Sequence, residues 1–334
     1  MGQQPFVSII LVNYNGEKFL TDCLDSLERT DYQKDMYEVI LVDNASKDNS
    51  VKLIKEDFPW VKLIVSDRNT GYSEGNNMGV ENATGKYLVF LNTDTIVEKN
   101  WLSELVKKIE NDKSIGACSS QVLYQDDKNL INTIGGFWSV LGVPGSMGEK
   151  NPKDSFENET PTFSPTGCSM IIRSDLYKEV GGFDNDYFLY CEDADLGWRL
   201  WNRKLKIVLA PSSIVYHKVS ASLKGLGKKT FSEWYYFYSA RNRFITIMKN
   251  ARVSDLLWMI PLYFVSHITL AVLFGLNGKF TAMKSTLKGM LYTLRDYSWL
   301  EKRRGYKKTG YANIRMIGIV ETFRTFVSKK EKHF

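Results

Sequence analysis

Cysteine and histidine are scarce in this chain of 334 residues, which holds four of the first and three of the second. Cys23, Cys118, Cys168 and Cys191 stand far apart with no C-x-x-C pair, which excludes a zinc ribbon and supplies no disulfide framework, so a reducing cytoplasm fits best. No glycine-rich phosphate loop follows the first apolar run. Asn13-Tyr14-Asn15-Gly16 stands there instead, which argues against a sugar-1-phosphate nucleotidyltransferase and, lacking G-x-G-x-x-G, against a dinucleotide oxidoreductase. A basic segment is missing ahead of the apolar run 6–12, and Asn13 breaks that run, so it reads as a first strand and not as a signal peptide. Sequons such as Asn158-Glu159-Thr160 therefore carry little weight. Internal repeats and low-complexity tracts are missing as well. No base-reading motif accompanies the basic residues, so no nucleic-acid partner is expected.

What remains is an ordinary globular composition, 43% hydrophobic and 25% charged, long enough for a large core. The stretch 87–95 is the most informative. Tyr87-Leu88-Val89-Phe90-Leu91 reads as a buried central strand, and Asn92-Thr93-Asp94 then sets one carboxylate at its carboxyl edge, where open α/β sheets hold ligands. An Asp in that place can also simply turn the chain through its own side-chain hydrogen bonds. The pattern recurs: strand 6–12 stops at Asn13-Tyr14-Asn15-Gly16, strand 37–42 at Asp43-Asn44, and strand 214–216 at His217. Between the early strands, Phe19, Leu20, Cys23, Leu24 and Leu27 share a helix face, as do Val51, Ile54 and Phe58, then Leu102, Leu105, Val106 and Ile109. Alternating strands and helices imply right-handed crossovers and a mostly parallel sheet, with its polar strand ends on one rim.

Charge is unevenly spread. Residues 277–334 carry 14 Lys/Arg against 4 Asp/Glu, a net of +10 in a chain of net +6, so residues 1–276 sum to −4. Ahead of that basic tail, residues 256–276 hold no formal charge over 21 positions, long enough to cross a bilayer. A single crossing from the cytoplasm would put the basic tail outside, against the positive-inside tendency. Phe280, Met283, Leu287, Met290, Leu291 and Leu294 make an apolar face on a further helix, with Lys284 and Lys288 elsewhere on it, the pattern of a helix lying in the interface. The expectation is a sheet domain over 1–250 and a helical, basic, membrane-associating region over 251–334, peripheral or re-entrant at the cytoplasmic face of the cell membrane. A plain soluble helical cap is the alternative.

Three polar groups stand out. The loop Arg68-Asn69-Thr70-Gly71-Tyr72-Ser73-Glu74-Gly75-Asn76-Asn77 runs into a helix and can bring backbone N–H groups close to an anion, or can be a surface turn. Glu192-Asp193-Ala194-Asp195 packs three carboxylates into four positions, which serves a helix dipole or supplies a base beside a charged substrate. At helical spacing Glu192 and Asp195 would share a face and Asp193 would point elsewhere. His217 can be a structural donor or, with Asp94, can hold a divalent cation, Mn²⁺ suiting oxygen and imidazole together. Residues 231–249 are rich in aromatics and link the two regions, and Arg241 and Arg243 in it are candidates for meeting lipid phosphate.

The ordered set of Asn13-Tyr14-Asn15, Asp43-Asn44-x-Ser46-x-Asp48, Asn69-x-Gly71-Tyr72-Ser73-x-Gly75-Asn76-Asn77, Asn92-Thr93-Asp94, Gly181-Gly182-Phe183-Asp184, Glu192-Asp193-x-Asp195 and His217 closely resembles the family 2 glycosyltransferases, in particular their rhamnosyltransferase-like branch. The resemblance covers residues 5–250. It implies a GT-A fold and inverting transfer of a sugar from a nucleoside diphosphate donor, a dTDP- or UDP-sugar such as dTDP-rhamnose, to a glycan or polyprenyl-linked acceptor in cell-surface polysaccharide or glycan synthesis. It implies that Val12, Asn13 and Tyr14 line the base site and that Asp43 accepts from a pyrimidine imide. Arg68, Asn69, Gly71, Asn77, Asn92 and Thr93 would complete the nucleotide-sugar pocket. Asp94 and His217 would hold Mn²⁺ or Mg²⁺, Asp193 would be the general base, and Gly167, Glu192, Trp198 and Arg199 would lie on the acceptor or sugar side. Asn92 departs from the family, where Asp is common, and brings no charge to the metal. A catalytically silent nucleotide-sugar-binding scaffold is the rival outside enzymes, and the retained Asp94 and Glu192-Asp193 argue against it.

Overall fold

The computed structural model describes residues 4–139, 142–218 and 228–293, with only the backbone of 228–232. Leu294 and the basic residues after it lie outside the described residues. The strands are β1 (Val7–Asn13), β2 (Tyr37–Asp43), β3 (Lys62–Val65), β4 (Tyr87–Leu91), β5 (Thr95–Val97), β6 (Ile115–Tyr124), β7 (Ile131–Thr133), β8 (Gly136–Trp138), β9 (Pro144–Ser146), β10 (Ser169–Arg173) and β11 (Lys206–His217). The helices are α1 (Glu17–Glu28), α2 (Ser50–Asp57), α3 (Gly71–Glu81), α4 (Trp101–Asn111), α5 (Ser174–Glu179), α6 (Glu192–Asn202), α7 (Lys228–Asn250), α8 (Val253–Leu276) and α9 (Phe280–Thr293).

One nine-stranded sheet runs in the order β3-β2-β1-β4-β10-β6-β11-β5, with β7 on β6, while β8 and β9 form a separate ribbon. Strands β1, β2, β3 and β4 are parallel; β10 is antiparallel to both β4 and β6, and β11 runs parallel to β6. Strands β1, β2, β3, β4, β6 and β11 therefore share one direction and deliver their carboxyl ends to one rim. The antiparallel β10 delivers its amino end to the same rim, which brings Gly167 and Cys168 there.

Side-chain alternation along the central strands feeds two cores. Ile9, Leu11, Val89 and Leu91 pack with Leu20, Ile54 and Leu102 from α1, α2 and α4 on one face, while Ile10, Leu88 and Phe90 pack with Val80, Tyr177 and Leu196 from α3, α5 and α6 on the other. A third cluster joins Trp138, Phe163, Tyr187 and Trp198 to Phe244, Tyr263 and Met290 of the C-terminal helices. Buried charge seals this junction: Lys249 Nζ pairs with Asp184 at 2.6 Å and with Asp195 at 2.9 Å, and Asp195 also pairs with Arg199 at 2.8 Å.

The outer face of the C-terminal helices is inverted relative to a soluble bundle. On α9 the small residues Ala282, Ser285, Thr286 and Gly289 are buried, while Phe280 and Leu291 are 58% and 57% exposed. Of the apolar face read along this helix, Met290 is buried and Phe280, Leu287 and Leu291 face outward. Helix α8 buries Met259, Tyr263, His267 and Ala271 on one stripe and exposes Leu257, Val265, Ile268, Val272 and Leu276 on the other. By length and composition α8 can cross a membrane.

Candidate active site

The ends of β1 and β2 build the first wall. Asn13 and Asp43 are register partners, and the Asn13 amide donates to Asp43 Oδ2 at 3.0 Å while the Ser46 backbone N–H donates to Oδ1 at 3.0 Å. Both side chains are fully buried, and Asn13 Oδ1 has no hydrogen-bond partner, so a buried acceptor is left without a donor beside the Asp43 carboxylate. Gly16 is the hinge between this wall and the next: a Cβ there would lie 2.3 Å from Asn13 Oδ1 and 3.6 Å from Thr93 Oγ1. Val12 packs under Gly75, and Tyr14 is half-buried beside them in the chain. Asn44 ties the wall to the polar loop, accepting from Thr70 N–H at 3.0 Å and donating to Gly71 O at 2.8 Å, while Asn69 Oδ1 accepts from Gly71 N–H at 2.9 Å.

The end of β4 and the end of β11 build the second. Asp94 is 5% exposed, and its Oδ1 lies 3.3 Å from His217 Nε2. His217 Nδ1 lies 3.0 Å from Asn132 Oδ1, an acceptor, so Nδ1 carries a proton and Nε2 is the nitrogen turned to Asp94. Burial disfavours the charged ring, but the Cys168 sulfur and the Asp94 carboxylate outweigh it and hold the His217 pKa well above the usual imidazole value. One hard oxygen ligand and one imidazole nitrogen, converging and oriented from behind, fit Mn²⁺ or Mg²⁺, which would take the place of the Nε2 proton. Among the described residues no group of three or more His, Cys, Asp or Glu is placed to hold a metal ion, so such a cation would need further ligands from a substrate or water. Asn92 is half-buried; its backbone N–H donates to Cys168 O at 3.0 Å, which joins β4 to the start of β10.

The third wall is the first turn of α6. Burial foremost, then the neighbouring Asp193 charge, push the Glu192 carboxyl up to about 8, and burial raises Asp193 despite the N–H groups of Ala194 and Gly167 that favour its charge. Glu192 Oε2 is buried with no hydrogen-bond partner. Asp193 accepts from Ala194 N–H at 2.7 Å, and a Cβ at Gly167 would lie 3.9 Å from its Oδ2 and 3.5 Å from the Tyr72 hydroxyl. Tyr72 donates to Gly167 O at 2.6 Å. Gly167-Cys168 is thus the shared edge: Tyr72 and Asp193 meet Gly167, while Asn92 and His217, the partner of Asp94, meet Cys168.

Other residues expected in the site have different surroundings. Arg68 is on the rim, largely exposed and paired with Glu74. Asn77 spends its amide inside the protein, donating to Phe183 O at 2.7 Å and Asn185 Oδ1 at 2.6 Å and accepting from Tyr177 at 2.7 Å. Trp198 is 1% exposed, stacked edge-on against Trp138 and Phe163. Arg199 is 2% exposed and committed to Asp195 and to Val180 O at 2.6 Å. Neither reaches the rim, because both lie further along α6 on its core-facing side. The face shared by Glu192 and Asp195 is corrected too: Asp195 turns into the Lys249–Arg199 network, and Asp193 keeps company with Glu192. Arg241 and Arg243 do not meet lipid phosphate. They are 7% and 8% exposed, Arg241 donating to Asp186 O at 2.7 Å and Arg243 to Gly142 O at 3.1 Å. Asn132 and Cys168 were not assigned roles from sequence, and Tyr72 only as part of the polar loop; Asn132 carries no local signal, since it meets a residue 85 positions away.

The sheet order, the rim and the flanking helices are those of the GT-A fold. A mannosyltransferase from Pyrobaculum calidifontis, solved in complex with GDP-Man and Mn²⁺, superimposes over 89% of each chain with a TM-score of 0.56 at 16% identity. Residues 8–181 match the sequence profile of Glycosyl transferase family 2, and the chain belongs to that family. A dolichyl N-acetyl-α-D-glucosaminyl phosphate 3-β-D-2,3-diacetamido-2,3-dideoxy-β-D-glucuronosyltransferase of Methanococcus voltae is 23% identical over 81% of this chain and 82% of its own length. The rhamnosyltransferase WbbL of Escherichia coli (strain K12) is 27% identical over 75% of this chain and 98% of its own.

Proposed function

We propose that this chain is an inverting glycosyltransferase that moves a sugar from a dTDP- or UDP-sugar to a hydroxyl of a glycan or polyprenyl-linked acceptor in cell-surface polysaccharide or glycan synthesis. The observation that carries the reading is that two acidic groups converge on Gly167-Cys168: Asp94 through His217 at Cys168, and Glu192 with Asp193 at Gly167. Asp43 would accept from the imide N–H of a pyrimidine, with Val12, Asn13 and Tyr14 around the base and Asn69, Gly71, Asn92 and Thr93 along the ribose and diphosphate. Asp94 and His217 would hold Mn²⁺ or Mg²⁺, and a cation bound there supplies positive charge where the leaving diphosphate becomes negative.

Asp193 takes the proton of the acceptor hydroxyl. The freed oxygen attacks the anomeric carbon from the face opposite the diphosphate, the bond from that carbon to the phosphate oxygen breaks, and the configuration inverts. Glu192, kept largely protonated by burial and by its neighbour's charge, leaves the role of base to Asp193, whose charged form the N–H groups of Ala194 and Gly167 favour. The outward apolar stripes of α8 and α9 support work at a membrane surface, where a lipid-linked acceptor is delivered, and we place that surface on the cytoplasmic side because the nucleotide-sugar and the free thiols belong there.

Asp193→Asn is the deciding variant. Transfer is expected to fall by ~10² to 10⁴ while the thermal shift given by UDP or dTDP with Mn²⁺ stays as in the parent. Weakened nucleotide binding with surviving transfer would remove Asp193 from the role of base.

A further inference from the structure

The turn that leads into α6 is strained. Tyr190 and Cys191 have φ of 69° and 68°, consecutive side-chain-bearing residues in the left-handed region immediately before Glu192 and Asp193. Such residues normally leave that region unless their surroundings fix them. We infer that Asn242 of α7 is a positioning residue for the Glu192-Asp193 pair, acting by clamping this turn; the inference rests on the reading of Asp193 as the base.

Asn242 is fully buried, and its Nδ2 donates to Leu189 O and to Tyr190 O, both at 2.8 Å. Of the two ends of the amide only the NH₂ can donate to both carbonyls, so the amide has one orientation. Its Oδ1 accepts from Arg241 Nη1 at 2.8 Å, and the same nitrogen donates to Asp186 O at 2.7 Å, which locks the amide from the other side. The segment is also held by the first turn of α3, where Tyr72 N–H donates to Phe188 O at 2.8 Å. Downstream, Lys249 and Asn250 of the same helix bind Asp195, so α7 grips the acidic turn before and after Asp193. Asn242 touches no reacting atom in this arrangement. Its effect passes through the backbone of 189–191 to the direction in which Asp193 leaves the helix, and it links the carboxylate to the helix against which α9 packs.

Asn242→Asp tests this with almost no change of shape. It keeps the acceptor for Arg241 and replaces the two donors by an oxygen facing two carbonyls. The turnover number for transfer is expected to drop about 10- to 100-fold, with the KM for the donor and the nucleotide-induced thermal shift near those of the parent. Glycine accepts the left-handed conformation without strain, so Cys191→Gly added to Asn242→Asp should recover about 5-fold or more of the lost turnover, whereas Cys191→Gly alone should change it little. A general loss of packing would not be repaired by glycine. If Asn242→Asp does not yield folded protein, Asn242→Ala with and without Cys191→Gly gives the same comparison. Parental turnover in the Asn242 variants, or a loss that glycine leaves untouched, overturns the inference. Asp193→Asn measured alongside separates the two ideas: transfer surviving that change sinks the base assignment, while its abolition together with unaffected Asn242 variants sinks the positioning role alone.

Discussion

Glu192 and Asp193 are neighbours in sequence and in space, and the electrostatics of the pair divides their labour. A carboxyl raised to about 8 by burial and by an adjacent charge holds a proton at neutral pH in the folded chain, where the same group unfolded would have lost it. The sign follows directly. The folded state binds the extra proton between the ordinary carboxylate value of 4.5 and about 8, so stability is whole below that window and declines as pH rises through it. The slope is at most about 1.4 kcal/mol per pH unit for one such group. Glu192→Gln removes the group and its slope. Thermal melts of the two proteins should agree closely near pH 5 and separate towards pH 8, with the Gln variant the more stable by on the order of a few kcal/mol. Transfer should persist in this variant because Asp193, the proposed base, remains. A Gln variant that melts lower at pH 8, or that loses transfer as fully as Asp193→Asn, would exchange the roles of the two acids.

At the scale of elements, the loop entering α3 depends on a backbone that only one residue type tolerates. Gly71 has φ of 76°, and a Cβ there would lie 2.3 Å from Phe188 O, the carbonyl that accepts from Tyr72 N–H. Gly71→Ala is therefore strained twice, by conformation and by collision. It should destabilise the chain by about 1–3 kcal/mol and weaken nucleotide binding, read as a lower melting temperature and a smaller shift on adding UDP or dTDP. An unchanged melt and an unchanged shift would mean the loop has another resting position. This loop, like the strand ends at Asp43 and Asp94, was legible in the sequence because the signal is local: apolar alternation stops and a polar, glycine-bearing turn begins. The mostly parallel sheet was legible for the same reason, since strands alternated with helical spacing. The antiparallel β10 was not. Its direction is set by long-range pairing with β4 and β6, and with it comes the arrival of Gly167-Cys168 at the rim. Asn132 and Asn242 escaped for a similar reason, as each acts on a segment tens of positions away. The resemblance implied a place for Trp198 and Arg199 on the acceptor or sugar side, but a helix turns 100° per residue, and these two rotate into the core.

Taken as a whole, the molecule has two kinds of surface. The sheet domain follows the ordinary rule, with large apolar side chains inside. The C-terminal helices reverse it: small residues of α9 meet α7, where a Cβ at Gly289 would lie 2.5 Å from Phe237 O, and large apolar ones point away. On α8 the exposed residues 257, 265, 268, 272 and 276 recur at helical spacing, so they form one continuous stripe and not scattered singles. Water is a poor neighbour for such a stripe, and the interior of a bilayer interface is a good one. Lys284 and Lys288 are exposed on the neighbouring α9 and would add about 1 kcal/mol each near anionic headgroups. Replacing Leu257, Val272 and Leu291 by Asp should abolish co-sedimentation of the full chain with vesicles containing phosphatidylglycerol. All three are more than half exposed, at 79%, 54% and 57%, so the folded chain loses few contacts, and the melting temperature should stay within the scatter of surface substitutions, about ±0.5 kcal/mol in stability. Salt should weaken the parent's binding only in part, because screening removes the lysine contribution and leaves the apolar one. A triple variant that sediments with vesicles as the parent does would show that this stripe meets something other than lipid, and the delivery of a membrane-bound acceptor to Asp193 would then need another route.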